Sequence, residues 1–189
     1  MKRMCAALLM VCGLAMSASG QAVVQREGEG TRRTELNAME LQPFAVENFG
    51  KLTDWQNGAA LTSDVIAGKP VLLCTWGDWY SPSKRAVSLG TKLAEKYGKD
   101  GLIVVLAHHE RGWDAAQKPA APAGATLLIA HDSKGEFRKA LKVDQDPDFY
   151  VIDRAGQMRF ADIQIESVEA AVAEVVAEKK DAAAGVKDR

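Results

Sequence analysis

Apolar residues along this chain fall into short unbroken runs separated by amphipathic stretches, and the alternation predicts strands and helices in turn. Val71 to Trp76 is apolar except for Thr75, and Leu102 to Leu106 is wholly apolar. Runs of that length read as strands buried on both faces, as in a parallel sheet. Between them Ala86, Leu89, Leu93 and Tyr97 recur at helical spacing until Gly98. Ser81 offers an N-cap for that helix and Pro82 its first position. Thr126 to Ala130 predicts a further short strand. Ser133 and Glu136 then form a capping box for a helix carrying Phe137, Ala140 and Leu141. Phe149 to Asp153, a turn ending at Gly156, and Met158 to Ile163 read as a hairpin. Val168, Val172 and Val175 mark a closing helix.

Two stretches are weaker. From Phe44 the pattern turns extended, with Asn57-Gly58 as a tight turn before Leu61. Residues 111–125 suggest a short helix around Trp113 to Ala116, followed by a Pro/Ala/Gly segment. The order strand, helix, strand, strand, helix, hairpin, helix predicts an α/β fold around a mixed sheet.

The ends differ from the middle. Lys2 and Arg3, an apolar stretch from about Met4 to Met16, and the small residues Ser17 to Gly20 form the three-part pattern of a secretory signal peptide over 1–22. Residues 23–39 are polar and charged and predict a flexible lead-in, with the folded domain over 40–178. Residues 179–189, rich in Ala, Lys and Asp, predict a frayed tail. Export to the periplasm or outside the cell follows, with no stable membrane insertion after cleavage.

Composition narrows the function. The 189 residues are 47% hydrophobic, enough for one core, and carry a formal charge of −1. No basic patch suggests nucleic acid. Of the three cysteines, Cys5 and Cys12 leave with the leader, so the mature chain keeps only Cys74. One cysteine cannot form an internal disulfide.

The segment Trp76-Gly77-Asp78-Trp79-Tyr80-Ser81-Pro82-Ser83-Lys84 resembles the active-site segment of the thioredoxin-like superfamily, Trp-x-x-Trp-Cys-x-Pro-Cys-Lys/Arg. Asp146-Pro147-Asp148 and the strand after it resemble the family's cis-proline segment, with Pro147 as that proline. The strand Thr126 to Ala130, inserted between the second core strand and the following helix, is similar to the exported TlpA/ResA-like branch. The resemblance implies a thioredoxin-like sandwich, a central mixed sheet flanked by helices. It also places Tyr80 and Ser83 where the family carries its attacking and resolving cysteines, and Cys74 where it carries a polar or acidic proton relay.

Thiol–disulfide exchange needs a low-pKa thiolate and a second thiol to resolve the mixed disulfide. A hydroxyl cannot cycle through a disulfide, so dithiol oxidoreductase activity is not expected from Tyr80 and Ser83, and Cys74 reads as a small buried hydrophobe. The resemblance implies instead that Trp79, Tyr80, Asp146 and Pro147 could hold an extended peptide or an exported protein partner by main-chain pairing. The function expected is a redox-inert binding or accessory module without a cofactor. One alternative is a metal-handling protein using His108, His109 and His131, which follow predicted strands. Another is a residual oxidoreductase with non-standard chemistry.

Overall fold

A computed structural model describes residues 23–178. The signal peptide expected over 1–22 and the frayed tail expected over 179–189 lie outside the described residues. Six strands form one mixed sheet: β1 Thr53–Gln56, β2 Val71–Trp76, β3 Ile103–His108, β4 Thr126–His131, β5 Phe149–Ile152 and β6 Met158–Ala161. Their order across the sheet is β1-β4-β3-β2-β5-β6. The three central strands β2, β3 and β4 run parallel, and the outer pairings are antiparallel. Helices pack on both faces: α1 Gly30–Met39, the short α2 Ser63–Ile66, α3 Ser81–Tyr97, α4 Glu136–Leu141 and α5 Val168–Ala177. This is the expected thioredoxin-like sandwich, with β4 inserted between β3 and α4.

The continuous apolar runs are explained by two cores. Leu72, Cys74 and Trp76 face the layer of α3 and α5, while Val71 and Leu73 face Phe49, Phe137 and Tyr150 on the opposite side. All six residues of β2 and of β3 are buried, so each strand must be apolar on both faces. Helix α3 sits tightly on β3 because Gly90 has no side chain. A Cβ there would come within 3.1 Å of Leu106.

Several local expectations are corrected. The lead-in 23–39 is not loose: Val24 and Leu36 are buried, and residues 30–39 form α1. Its polar composition conceals arginines that reach buried acceptors across the fold. The N-cap of α3 is Tyr80 rather than Ser81, and Pro82 takes the second helical position. Ser133 does not cap α4. Its N-cap is Gly135, and the first-turn N–H groups are taken by Asp132, whose carboxylate accepts from the main-chain N–H of Phe137 at 3.1 Å and of Arg138 at 2.8 Å. The helix expected near Trp113 to Ala116 is a run of turns.

Candidate functional site

Strand β2 ends at Trp76, and the chain turns through Gly77, Asp78 and Trp79 before α3 begins. The turn closes when Tyr80 N–H donates to the Gly77 carbonyl at 3.3 Å. Ser83, fully buried, faces back across it, its Oγ accepting from Gly77 N–H at 3.2 Å. The Trp79 indole folds over Gly77, where a Cβ would meet the ring at 2.6 Å. Only glycine fits beneath it. Trp79 meets the His109 ring edge-on at 5.0 Å, and the Arg111 guanidinium lies 5.3 Å above the indole. Trp79 and Tyr80 are half exposed, at 51% and 45%. Large aromatics left open beside a rigid helix start are the kind of surface that binds.

The second wall is the Asp146-Pro147-Asp148 loop, whose Asp146–Pro147 peptide is cis. Buried Thr75 pins it. Asp148 N–H donates to Thr75 Oγ1 at 3.0 Å, and Thr75 N–H donates to the Asp148 carbonyl at 3.0 Å. Asp146 is held by an ion pair with Arg138. A hollow of about 390 Å³ runs between Tyr80, Pro82, Arg85, Pro147, Ile165 and Glu27. A second, of about 310 Å³, opens on the far side of Tyr80 between Trp79, His109, Arg138 and Asp146. Tyr80 and Asp146 line both. Trp79, Tyr80, Asp146 and Pro147, two of them 66 residues or more from the others in sequence, therefore share one surface.

Cys74 lies in the core, fully buried, and burial pushes its thiol well above the ordinary range. Among the described residues the thiol makes one hydrogen bond, a weak one to the Thr75 carbonyl at 3.5 Å. A thiol in that state is a poor nucleophile.

Two of the three histidines meet, edge to face: the His108 and His131 rings lie 6.4 Å apart, while His109 contacts Trp79 instead. Trp76, His108 and His131 stand in register across β2, β3 and β4. His108 packs against Trp76 at 4.5 Å, and His131 stacks flat on Trp113 at 4.8 Å. Their nitrogens are directed elsewhere: His108 Nδ1 to the His109 carbonyl at 2.7 Å, and His131 Nε2 to the Glu110 carbonyl at 3.1 Å. His109 Nδ1 accepts from Arg111 N–H at 3.1 Å. Among the described residues no group of three or more His, Cys, Asp or Glu is placed to hold a metal ion, which corrects the metal-handling alternative. Burial holds both His108 and His109 below the usual imidazole range. His108 Nε2 has no hydrogen-bond partner among the described residues and stands 3.9 Å from Asp78.

Sequence reasoning missed the acidic cluster under the Pro147 loop. Arg32 of α1 donates to Asp148 at 2.9 Å and Asp162 at 2.6 Å, both carboxylates buried. Tyr150 adds its hydroxyl to Asp148 at 3.3 Å. Burial, with Asp162 nearby, pushes the Asp148 carboxyl up to about 8. The only local signal is the density of aspartates at 144, 146 and 148.

No protein-family model matches the chain. Among curated proteins it is similar to the thiol-disulfide oxidoreductase YkuV of Bacillus subtilis strain 168. The two are 30% identical over 110 residues, spanning 56% of this chain and 74% of that protein. Among solved structures, it is similar to a thioredoxin-like protein in its oxidised form, at 25% identity and a TM-score of 0.54 over 75% of this chain and 95% of the other. A thiol-disulfide isomerase from Corynebacterium glutamicum superposes with a TM-score of 0.54 over 76% and 99%, at 16% identity; that likeness is one of fold.

Proposed function

The chain belongs to the thioredoxin-like superfamily, and from that premise we propose that it works as an exported, redox-inert binding module. It holds an extended peptide or protein partner across Tyr80 and the Pro147 loop. One observation carries this reading: the surface made by Trp79, Tyr80, Asp146 and Pro147 is assembled, while both positions for exchanging sulfurs hold hydroxyls. Ser83 spends its oxygen on the Gly77 N–H. Among the described residues no acid or base is hydrogen-bonded to the Tyr80 hydroxyl to activate it. Neither hydroxyl can form and release a disulfide.

Binding is supported by the main chain. Asp146 N–H and C=O make no backbone bond among the described residues, so an extended ligand could pair with them as an added strand. Glu27 and Arg85 both line the larger hollow and offer an acceptor and a donor to a ligand's polar groups, Arg85 while also paired with Glu166. Export is supported by the leader pattern in 1–22. No helix among the described residues is long and apolar enough to cross a membrane.

Two measurements test this. In a turbidity assay with insulin and dithiothreitol, the mature protein should precipitate insulin no faster than dithiothreitol alone; clear acceleration overturns the redox claim. In panning against displayed peptides, a Trp79→Ala, Pro147→Ala double variant should lose capture at least tenfold. Unchanged capture overturns the binding claim.

A further inference from the structure

On the opposite flank of α3 lies a cavity of about 600 Å³ that shares no lining residue with the Pro147 groove. Its volume falls within the roughly 300–1,000 Å³ of ordinary small-molecule sites. One wall is a stripe of α3, in which Lys84, Ser88, Thr91 and Lys92 follow one another at helical spacing. The other is the connection after β3, through Ala115, Gln117 and Pro119. The floor includes Trp76, at the carboxyl end of a parallel strand, where α/β sheets commonly bind ligands.

Two features give this cavity a chemical preference. Lys96 and Lys142 pair with Glu169 and Glu35, whereas Lys84 and Lys92 have no carboxylate partner among the described residues. Their two positive charges outnumber the single acid lining the cavity, Asp78. Apolar surface comes from Val87 and Pro119, over a floor closed by the buried Trp76 ring.

The far wall is held in place. Lys118 turns back, donating to the Ala116 carbonyl at 3.4 Å with its ammonium 4.2 Å above the Trp113 ring. Trp113 in turn stacks on His131. Asn57 Nδ2 donates to the Pro119 carbonyl at 3.0 Å. A wall fixed before the ligand arrives loses little entropy on binding.

We propose that this cavity is a second binding site, independent of the Pro147 groove, for a small carboxylate with a flat apolar body. The ring lies against Val87 and Pro119 above Trp76, and the carboxylate accepts from Lys84, Ser88 or Lys92.

The test titrates the full chain with 2-naphthoate and its neutral isostere 2-naphthamide, by calorimetry and ligand-observed saturation-transfer NMR. Saturable 2-naphthoate binding is expected, with a dissociation constant at or below about 1 mM, ordinary for a ligand of that size. The amide should bind at least tenfold more weakly. A Lys84→Glu, Lys92→Glu variant should lose 2-naphthoate at least tenfold, and Ser88→Trp should block it by filling the cavity. Lys134→Glu, on an exposed residue outside the cavity, should leave it unchanged, as should Pro147→Ala. Circular dichroism checks that each variant is folded. Absence of saturable binding overturns the proposal. So does equal affinity for the amide, or loss in Pro147→Ala with retention in the lysine variant.

Discussion

A serine that is buried and hydrogen-bonded to the main chain is built into its turn, and Ser83 is such a residue. Its neighbour Tyr80 stands at the open end of α3, where the unpaired N–H groups of the first turn favour negative charge. The scaffold for a low-pKa thiolate is therefore intact around two oxygens. Replacing them together, Tyr80→Cys with Ser83→Cys, should yield a disulfide in the oxidised protein and at least a tenfold faster insulin reduction than the parent. A variant that forms the disulfide yet gains no rate would mean that more than the sulfurs separates this chain from an exchanger. The positions themselves were legible in the sequence because the segment Trp76 to Lys84 is contiguous. What surrounds Trp79 was not: His109 and Arg111 arrive from the end of a neighbouring strand, and no local pattern announces their rings and charges.

At the scale of elements, local signals were read well and distant ones missed. The central strands and α3 were visible because burial on two faces forces unbroken apolar runs, and a helix against a sheet forces its own spacing. Helix α1 was invisible, since its anchors act across the fold: Arg32 reaches partners 116 and 130 residues away. Arg33 likewise reaches the Ala161 carbonyl at 3.0 Å. The start of α4 falls two residues later than Ser133 predicts: Gly135 takes the cap position in a left-handed conformation, and the upstream Asp132 satisfies the first-turn N–H groups, a reach no local spacing announces. Arg32→Ala should leave the buried Asp148 and Asp162 side chains without the cation they share and cost about 2–4 kcal/mol in chemical denaturation above about pH 8, where Asp148 is ionised, and less at lower pH. It should also speed amide exchange across residues 30–39. A loss under about 0.5 kcal/mol would place the docking of α1 in Val24 and Leu36 alone.

Over the whole molecule, the buried acids give stability a pH dependence of definite sign. Asp148 at about 8, with Asp162 and Glu27 also held above the usual carboxylate range by burial, bind protons more tightly folded than unfolded. Their contribution is full below about pH 4, near the unfolded carboxylate value, and is lost as pH rises through the folded values. His108 and His109, held neutral by burial, act oppositely below about pH 6.5, so a difference measurement is needed. Asp148→Asn keeps the neutral shape without the titration. Relative to wild type it should gain roughly 1–3 kcal/mol in unfolding free energy between about pH 4 and about pH 8; a flat difference would refute the assignment. A last consequence belongs to the docked segment 23–44, the lead-in together with the first residues after it. Strand β6 ends the sheet, and its outer flank is sealed by this segment: Leu41 N–H donates to Met158, Met158 N–H to Gln42, Phe44 N–H to Gly156, and Glu27 N–H to Asp162. An unsealed strand flank is a template for another chain. A chain trimmed to residues 45–178 should therefore self-associate flank to flank, visible as concentration-dependent dimers and larger species in light scattering, while the full chain does not associate through this flank. The stretch that reads as filler in the sequence would then be what keeps the sheet from recruiting its own copies.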